Sequence, residues 1–207
     1  RDFCLSRGLG DVYKRQDPYR LTDEERELVE KIHASFMNSE KLKKHMRCLF
    51  TYGGMYLVCN SNLLYHASVP LNEDGSFKHV RIGTKEYWGH KLLQKTDQLI
   101  RTAYFDEDGS AEKNFALDYM WYMWCGPDAP SFDKDKMATF ERYFIADKAL
   151  HKENKGYYYT LRNRADICDN ILAEFGVEPG PHSHIINGHV PVKTIKGERP
   201  INCLLYT

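Results

Sequence analysis

The sequence lacks three features that would assign it to a broad class of protein. No apolar run approaches the roughly 20 residues that a transmembrane helix needs. No excess of positive charge is present, because 29 basic residues are balanced by 29 acidic ones. The first residues also lack the apolar core of a secretory signal peptide. We therefore expect no membrane or nucleic-acid partner for this chain of 207 residues, which is long enough for one large domain.

Paired cysteines are missing as well. The chain has six cysteines, at positions 4, 48, 59, 125, 168 and 203, and none of them forms a C-x-x-C pair. A disulfide framework is typical of shorter secreted chains with more regular spacing. The pattern favours free thiols in the reducing cytoplasm.

The first predicted helix begins at Thr22. Thr22 and Glu25 have the spacing of a capping box, and Leu28, Ile32 and Phe36 form an apolar stripe at helical spacing. A second helix is predicted over residues 39–49, either separate from the first or continuous with it.

The middle of the chain alternates strands and helices. Residues 55–59 are predicted to form a buried strand, and residues 63–66 its hairpin partner. Helices are predicted over residues 87–105, 112–121 and 162–175, and Gly176 ends the last of them. Leu92, Leu93, Leu99 and Ile100 are apolar positions of the first helix, and Ile167, Ile171 and Leu172 share one face of the last. Trp121 and Trp124 are expected in the core rather than in a platform for a sugar ring. The short β-branched pair Ile185–Ile186 follows. A helix, a glycine and then a short strand form the second half of a βαβ unit, which indicates an α/β fold.

Two histidines occupy similar positions at strand ends. His66 follows the apolar stretch "LLY", and His189 follows "IING". A neutral imidazole is a common metal ligand, and the carboxyl ends of strands in open α/β sheets commonly gather ligands. Each histidine could equally be structural. The metal hypothesis predicts that their ring nitrogens lie within roughly 5 Å, since ligands of one ion lie about 2.1 Å from it.

Three longer stretches, "SNLLYHASVPLNEDGSF", "WYMWCGPDAPSFDKDKMATFERYFI" and "HIINGHVPVK", resemble the class III fructose-1,6-bisphosphatases of Gram-positive bacteria (Firmicutes type). That family belongs to the calcineurin-like metallophosphoesterases. The resemblance implies a sandwich of two β-sheets flanked by helices. It also implies that His66 and His189 are ligands of a two-metal centre, with Mn²⁺ as the favoured ion.

The sequence departs from the superfamily in one respect. The early Asp-x-His, Gly-Asp-x-x-Asp-Arg-Gly and Gly-Asn-His motifs do not occur. Family members extend much further at the amino end, so we expect a carboxyl-proximal fragment that lacks the amino-terminal half of the catalytic domain. Residues 1–16 and 203–207 resemble translated sequencing-adaptor read-through. We expect both ends to be non-native, to pack little and to form few regular backbone bonds, with the native stretch over residues 17–202.

The resemblance implies that the whole protein hydrolyses fructose-1,6-bisphosphate to fructose-6-phosphate and phosphate in gluconeogenesis. Two alternatives remain open. One is a calcineurin-like phosphatase acting on phosphoproteins or dinucleotides, and the other is a non-catalytic α/β binding module with structural histidines. The sequence leaves the catalytic residues and the oligomeric state unknown.

Cationic side chains are expected near the substrate phosphate. Lys134, Lys136 and Arg142 follow "WCGP" and are the candidates, although neighbouring acids could instead make this a solvated loop. Asp128 could orient a metal-binding histidine, or could simply form a turn after Pro127.

Overall fold

The computed structural model describes residues 20–190, 192–193, 195, 197, 199–202 and 205–206. The chain divides into two compact units, one ending at Tyr52 and the other beginning at Gly53. Within the described residues, no helix combines the length and the apolar character needed to cross a bilayer.

The first unit contains two helices, α1 (Asp23–Met37) and α2 (Glu40–Tyr52). The predicted capping box is confirmed, because the Glu25 amide donates to Thr22 Oγ1 at 3.2 Å and the Thr22 amide donates to Glu25 Oε2 at 2.9 Å. The helices are separate rather than continuous. Ser39 lies between them, and its hydroxyl accepts a hydrogen bond from the Leu42 amide at 3.3 Å, as a helix-capping serine does.

The apolar stripe of α1 is solvent-exposed. Leu28, Ile32 and Phe36 share one face of the helix, as their spacing predicts, yet all three are exposed and α1 carries no buried residue. The helical spacing of these residues is confirmed, although the face that they form is exposed.

The second unit contains a sheet that begins with a hairpin of β1 (Tyr56–Cys59) and β2 (Asn62–Tyr65). Asn60 and Ser61 join the strands with φ angles of 50° and 62°, which is typical of a tight hairpin turn. The prediction that the first strand is buried is wrong, because Leu57 and Val58 are exposed. Strand β1 lies at the edge of the sheet, where β2 is its neighbour on one side.

Strand β5 (His184–Asn187) pairs with β2 in parallel, with Leu63 opposite Ile185 and Tyr65 opposite Asn187. Leu63 and Ile185 are fully buried. The two strands are distant in sequence, and helices lie between them along the chain. The prediction of an α/β fold is confirmed. The parallel pairing also brings the carboxyl ends of β2 and β5 to the same edge of the sheet.

The sheet continues through two short strands, β7 (Leu205–Tyr206) and β6 (Ile201–Asn202). Strand β7 pairs in parallel with β5 and antiparallel with β6. The expectation of few regular backbone bonds near the carboxyl end is therefore wrong for Leu205 and Tyr206, because the free edge of β5 offers them donors and acceptors. Residues 1–16, together with 203, 204 and 207, lie outside the described residues. The non-native origin of both ends stays a prediction.

Helices α3 (Gly89–Phe105), α4 (Ala111–Cys125) and α7 (Ala165–Glu174) supply much of the core. The predicted apolar faces are confirmed for α3 by buried Leu92, Leu93 and Leu99, and for α7 by buried Ile167, Ile171 and Leu172. Two shorter helices, α5 (Thr139–Phe144) and α6 (Tyr158–Leu161), and a 3₁₀ turn at Lys148–His151 lie between α4 and α7 in sequence.

Two details of this unit differ from expectation. Trp121 and Trp124 are 68% and 63% exposed, so the prediction that they lie in the core is wrong. Their spacing on α4 places them on a face that the described residues leave uncovered. A second small sheet was also missed, the antiparallel pair β3 (Val80–Ile82) and β4 (Lys85–Tyr87). The sequence signal for this sheet was the alternation of apolar Val80 and Ile82 with charged Arg81. In the structure Val80 and Ile82 are buried and Arg81 is exposed.

Gly176 should be sensitive to substitution. Its φ angle is +74°, and its amide donates to the Ala173 carbonyl at the end of α7. An L-residue in this left-handed conformation costs roughly 1–2 kcal/mol. We expect Gly176→Ala to lower the free energy of unfolding by about that amount in urea denaturation. Gly180→Ala is the matched control, because Gly180 has equal open space and lies outside the left-handed region. Equal effects of the two variants would contradict the strain argument.

Candidate functional site

His66 and His189 lie together at the edge of the sheet. His66 directly follows β2, and His189 lies two residues beyond the end of β5. His66 Nε2 is 3.1 Å from His189 Nδ1, and the two rings are inclined by 79°. The prediction that the two rings approach each other is confirmed. Both side chains are exposed at this edge, so a small ligand can reach them.

The backbone holds the two histidines at this spacing. The Gly188 amide donates to the His66 carbonyl at 2.9 Å, which links the turns that follow the two strands. His189 has a φ angle of 63°, in the left-handed region that histidine enters more readily than most residues. A non-glycine residue in this conformation costs free energy, and such positions cluster at functional sites.

A buried polar network lies beneath the pair. Asn187 is only 4% exposed, and its side-chain amide donates to the Ala67 carbonyl at 2.8 Å and to the Tyr158 hydroxyl at 2.9 Å. The Tyr158 hydroxyl lies 2.8 Å from that of Tyr65. The residue before His66 and the residue two before His189 therefore belong to one hydrogen-bonded network.

The surroundings of His189 favour its neutral form. Partial burial lowers the pKa of His189, and its neighbours His66, Lys134 and Lys155 lower it further. A neutral imidazole keeps a lone pair on one ring nitrogen, and this is the form that binds a metal.

The spacing of the two rings fits adjacent ligands of one ion. Two ligands at about 2.1 Å from an ion, at a right angle, have their atoms about 3.0 Å apart. The observed 3.1 Å agrees with that value. Within the described residues, no group of three or more His, Cys, Asp and Glu side chains comes together to hold a metal. The pair is therefore a partial ligand set in this part of the chain.

The predicted phosphate-binding cations have different surroundings. Lys134 Nζ is 2.8 Å from Glu153 Oε2, and Arg142 Nη2 is 3.4 Å from the same oxygen. Lys136 forms no ion pair within the described residues. Of the three, only Lys134 is among the residues whose charge lowers the pKa of His189.

Lys155 was missed by the sequence analysis. Its backbone pairs with that of Lys134, and its ammonium lies 5.2 Å from the centre of the Tyr159 ring. No carboxylate neutralises Lys155 in the part of the chain that the structure describes. In sequence it stands in a charged run, "HKENKG", where nothing distinguishes it from a solvated lysine.

Asp128 does not contact a histidine. Its Oδ1 is 2.7 Å from Lys78 Nζ, and its φ angle of 62° is that of a turn residue. Of the two alternatives for Asp128, the turn-forming one is confirmed, and the one in which it orients a metal-binding histidine is contradicted. Its carboxylate forms an ion pair with Lys78, which lies on another loop.

Asp133 is a buried carboxyl group near this loop. It is 2% exposed, and burial raises its pKa to about 6, with a further contribution from the negative charge of Asp128. The Ser68 hydroxyl and the charge of Lys78 oppose this shift. Asp133 Oδ2 has no hydrogen-bond partner among the described residues.

The sequence matches known proteins along most of its length. A family model described as Firmicute fructose-1,6-bisphosphatase matches residues 6–204. A class 3 fructose-1,6-bisphosphatase of Bacteroides fragilis is 83% identical over 185 residues, which are 89% of this chain and 28% of that protein. Class 3 enzymes of Parabacteroides distasonis and Clostridium acetobutylicum are 61% and 55% identical, over 97% and 90% of this chain. These matches confirm the resemblance carried by the three sequence stretches.

The chain covers only part of these relatives. It spans 28% of the length of the Bacteroides fragilis and Clostridium acetobutylicum proteins, and 30% of that from Parabacteroides distasonis. No solved structure matches the sequence.

The raised pKa of Asp133 predicts a pH-dependent stability. The unfolded chain loses this proton near the ordinary pKa of 3.8, whereas the folded protein keeps it to about pH 6. Stability therefore falls as the pH rises from about 4 to above 6, by about 3 kcal/mol for this difference in pKa. We expect Asp133→Asn to equal the wild type near pH 4 and to exceed its free energy of unfolding at pH 7.5.

The measurement is urea denaturation between pH 4 and pH 8. Asparagine tolerates the left-handed backbone at position 133, where φ is 47°. Asp118→Asn, at an exposed position, is the control and should leave the slope unchanged. A difference between Asp133→Asn and wild type that does not vary with pH would count against a protonated Asp133.

Proposed function

The chain belongs to the Firmicute fructose-1,6-bisphosphatase family, and we propose that it forms part of a metal-dependent phosphatase. The whole enzyme hydrolyses fructose-1,6-bisphosphate to fructose-6-phosphate and phosphate, a reaction of gluconeogenesis. The observation that carries this proposal is the 3.1 Å approach of His66 and His189 at the carboxyl ends of two parallel strands.

In this proposal His66 and His189 are ligands of one ion of a binuclear Mn²⁺ centre. Two neighbouring divalent ions lower the pKa of a bound water and neutralise charge on the phosphoryl group. The chain's own contribution is to present two ring nitrogens at a fixed spacing, one of them kept neutral by burial and nearby cations. Further ligands come from parts of the whole protein outside this chain.

We assign the fold to the metallophosphoesterase sandwich of two sheets flanked by helices, of which the chain forms a part. The parallel β2–β5 pair with a histidine at each carboxyl end supports this assignment. So does the exposed edge strand β1, whose Leu57 and Val58 offer apolar surface for further structure to cover.

The substrate is a sugar bisphosphate, and cations beside the histidine pair bind its phosphate. Lys155 joins Lys134, Lys136 and Arg142 as a candidate. Lys155 is favoured because it lacks a carboxylate partner within the described residues, whereas Lys134 and Arg142 share Glu153. We place the enzyme in the cytoplasm, where the free thiols of Cys48, Cys59, Cys125 and Cys168 persist.

One observation also favours the non-catalytic alternative. The distance of 3.1 Å between His66 and His189 suits a hydrogen bond between a protonated and an unprotonated ring nitrogen. In that case the pair would be structural and would need no metal. Titration of the full-length protein with Mn²⁺ separates the two functions, because a structural pair binds no tight pair of ions.

We expect the 207-residue chain alone to lack fructose-bisphosphatase activity, and its full-length parent to have it with Mn²⁺. Two histidines cannot hold two ions, and a carboxylate that bridges them is absent from the described cluster. The assay is phosphate release from fructose-1,6-bisphosphate with and without Mn²⁺, on both proteins. Metal-dependent turnover by the chain alone would show that its site is complete.

In the full-length parent, His189→Ala should lower kcat by about two to four orders of magnitude, as loss of a metal ligand reduces a metal-activated nucleophile. The readout is steady-state kinetics at saturating Mn²⁺. His182→Ala is the control, since His182 is exposed on a neighbouring loop and forms no hydrogen bond within the described residues. Equal activity of both variants would remove His189 from the metal site.

A further inference from the structure

We propose that Asn187 is a positioning residue, which holds His66 and His189 at the spacing that one divalent ion requires. This inference rests on the proposed function, because it concerns the same pair of histidines. It assigns a role to a side chain that contacts neither the substrate nor the ion.

The first step is the geometry of the two turns. The Gly188 amide donates to the His66 carbonyl at 2.9 Å, and the Asn187 side-chain amide donates to the Ala67 carbonyl at 2.8 Å. Two successive carbonyls after β2 are therefore bound by two successive residues at the end of β5. One bond alone would act as a hinge, whereas two fix the relative orientation of the turns.

The second step is the anchor in the core. The other hydrogen of the Asn187 amide points to the Tyr158 hydroxyl at 2.9 Å, and Tyr158 is fully buried. Tyr158 in turn bonds Tyr65, whose backbone lies opposite Asn187 in the sheet. These hydrogen bonds therefore connect Tyr65, which precedes His66, with Asn187, which lies two residues before His189.

The third step is the choice of side chain. The Ala67 carbonyl accepts only, so the group that faces it must donate. Asparagine supplies two N–H donors on a short side chain, whereas aspartate at neutral pH supplies none. Asn187 Oδ1 is buried and has no partner among the described residues. An unsatisfied buried acceptor costs stability, so the two donated bonds must offset this cost.

The test uses the full-length protein that contains this chain, because further ligands of the ion come from outside the chain; the protein is labelled at its histidine rings, and Mn²⁺ alone is the probe. Nuclear magnetic resonance reports the paramagnetic broadening of each ring signal, and the exposed His182 is the internal reference. In the wild type we expect His66 and His189 to broaden at Mn²⁺ concentrations well below those that broaden His182.

Asn187→Ala should raise the Mn²⁺ concentration for half-broadening of the pair by about tenfold to a hundredfold, as for other residues that orient metal ligands. Asn62→Ala is the matched control. Asn62 lies at the opposite end of the same strand pair and bonds His184 at 3.0 Å, so its loss weakens the same strands away from the site.

A second pair of variants covers the case in which Asn187→Ala does not fold. Tyr158→Phe removes one acceptor of the Asn187 amide and keeps the ring volume. Tyr159→Phe removes a hydroxyl that has no partner among the described residues. We expect the half-broadening concentration to rise about threefold for Tyr158→Phe, as for the loss of one hydrogen bond, and to stay unchanged for Tyr159→Phe.

The outcomes separate the two proposals. If Mn²⁺ broadens His66 and His189 of the wild type no more than His182, the proposed metal site is wrong. If the wild-type pair responds and folded Asn187→Ala responds equally, only the positioning role is wrong. If Asn187→Ala is unfolded and Tyr158→Phe matches Tyr159→Phe, the positioning role is likewise overturned.

Discussion

The parallel pairing of β2 and β5 is the constraint on which the site depends. It places Tyr65 opposite Asn187, so both strands end at the same edge of the sheet. The two histidines then need only short turns to meet, and Gly188 and the Asn187 amide fix those turns. The helices contribute by burying Leu63 and Ile185, which stabilises the pairing itself.

The charges around the site are arranged unevenly. Glu153 neutralises Lys134 and partly neutralises Arg142, and Asp128 neutralises Lys78. Lys155 keeps its charge unbalanced by a described carboxylate. Although the numbers of basic and acidic residues in the whole chain are equal, positive charge is therefore in local excess beside the histidines. Such a local excess is suited to an anionic ligand.

Much of this arrangement could be predicted from local sequence signals. The capping box at Thr22, the glycine at position 176 and the apolar faces of α3 and α7 each depend on a few neighbouring residues, and all were correct. The approach of His66 and His189 was also predicted, because strands in α/β sheets gather ligands at their carboxyl ends. The features that were predicted wrongly or missed depend on residues that are distant in the sequence. The exposure of β1 and of Trp121 follows from which neighbours are present, and the ion pair of Asp128 with Lys78 joins two loops that are distant in sequence.

The separation of the two histidines along the chain has a consequence for synthesis. His66 and His189 are 123 positions apart, and β2 finds its parallel partner only when β5 has been made. Closing so long a loop is entropically costly and slow compared with forming a helix or the β1–β2 hairpin. We therefore expect the β1–β2 hairpin and the helices that precede β5 in sequence to form before the β2–β5 pairing during translation. Until β5 has been made, the backbone donors and acceptors on one edge of β2 are unpaired. An unpaired strand edge is prone to aggregation, so we expect chaperones to act on this segment of the nascent chain.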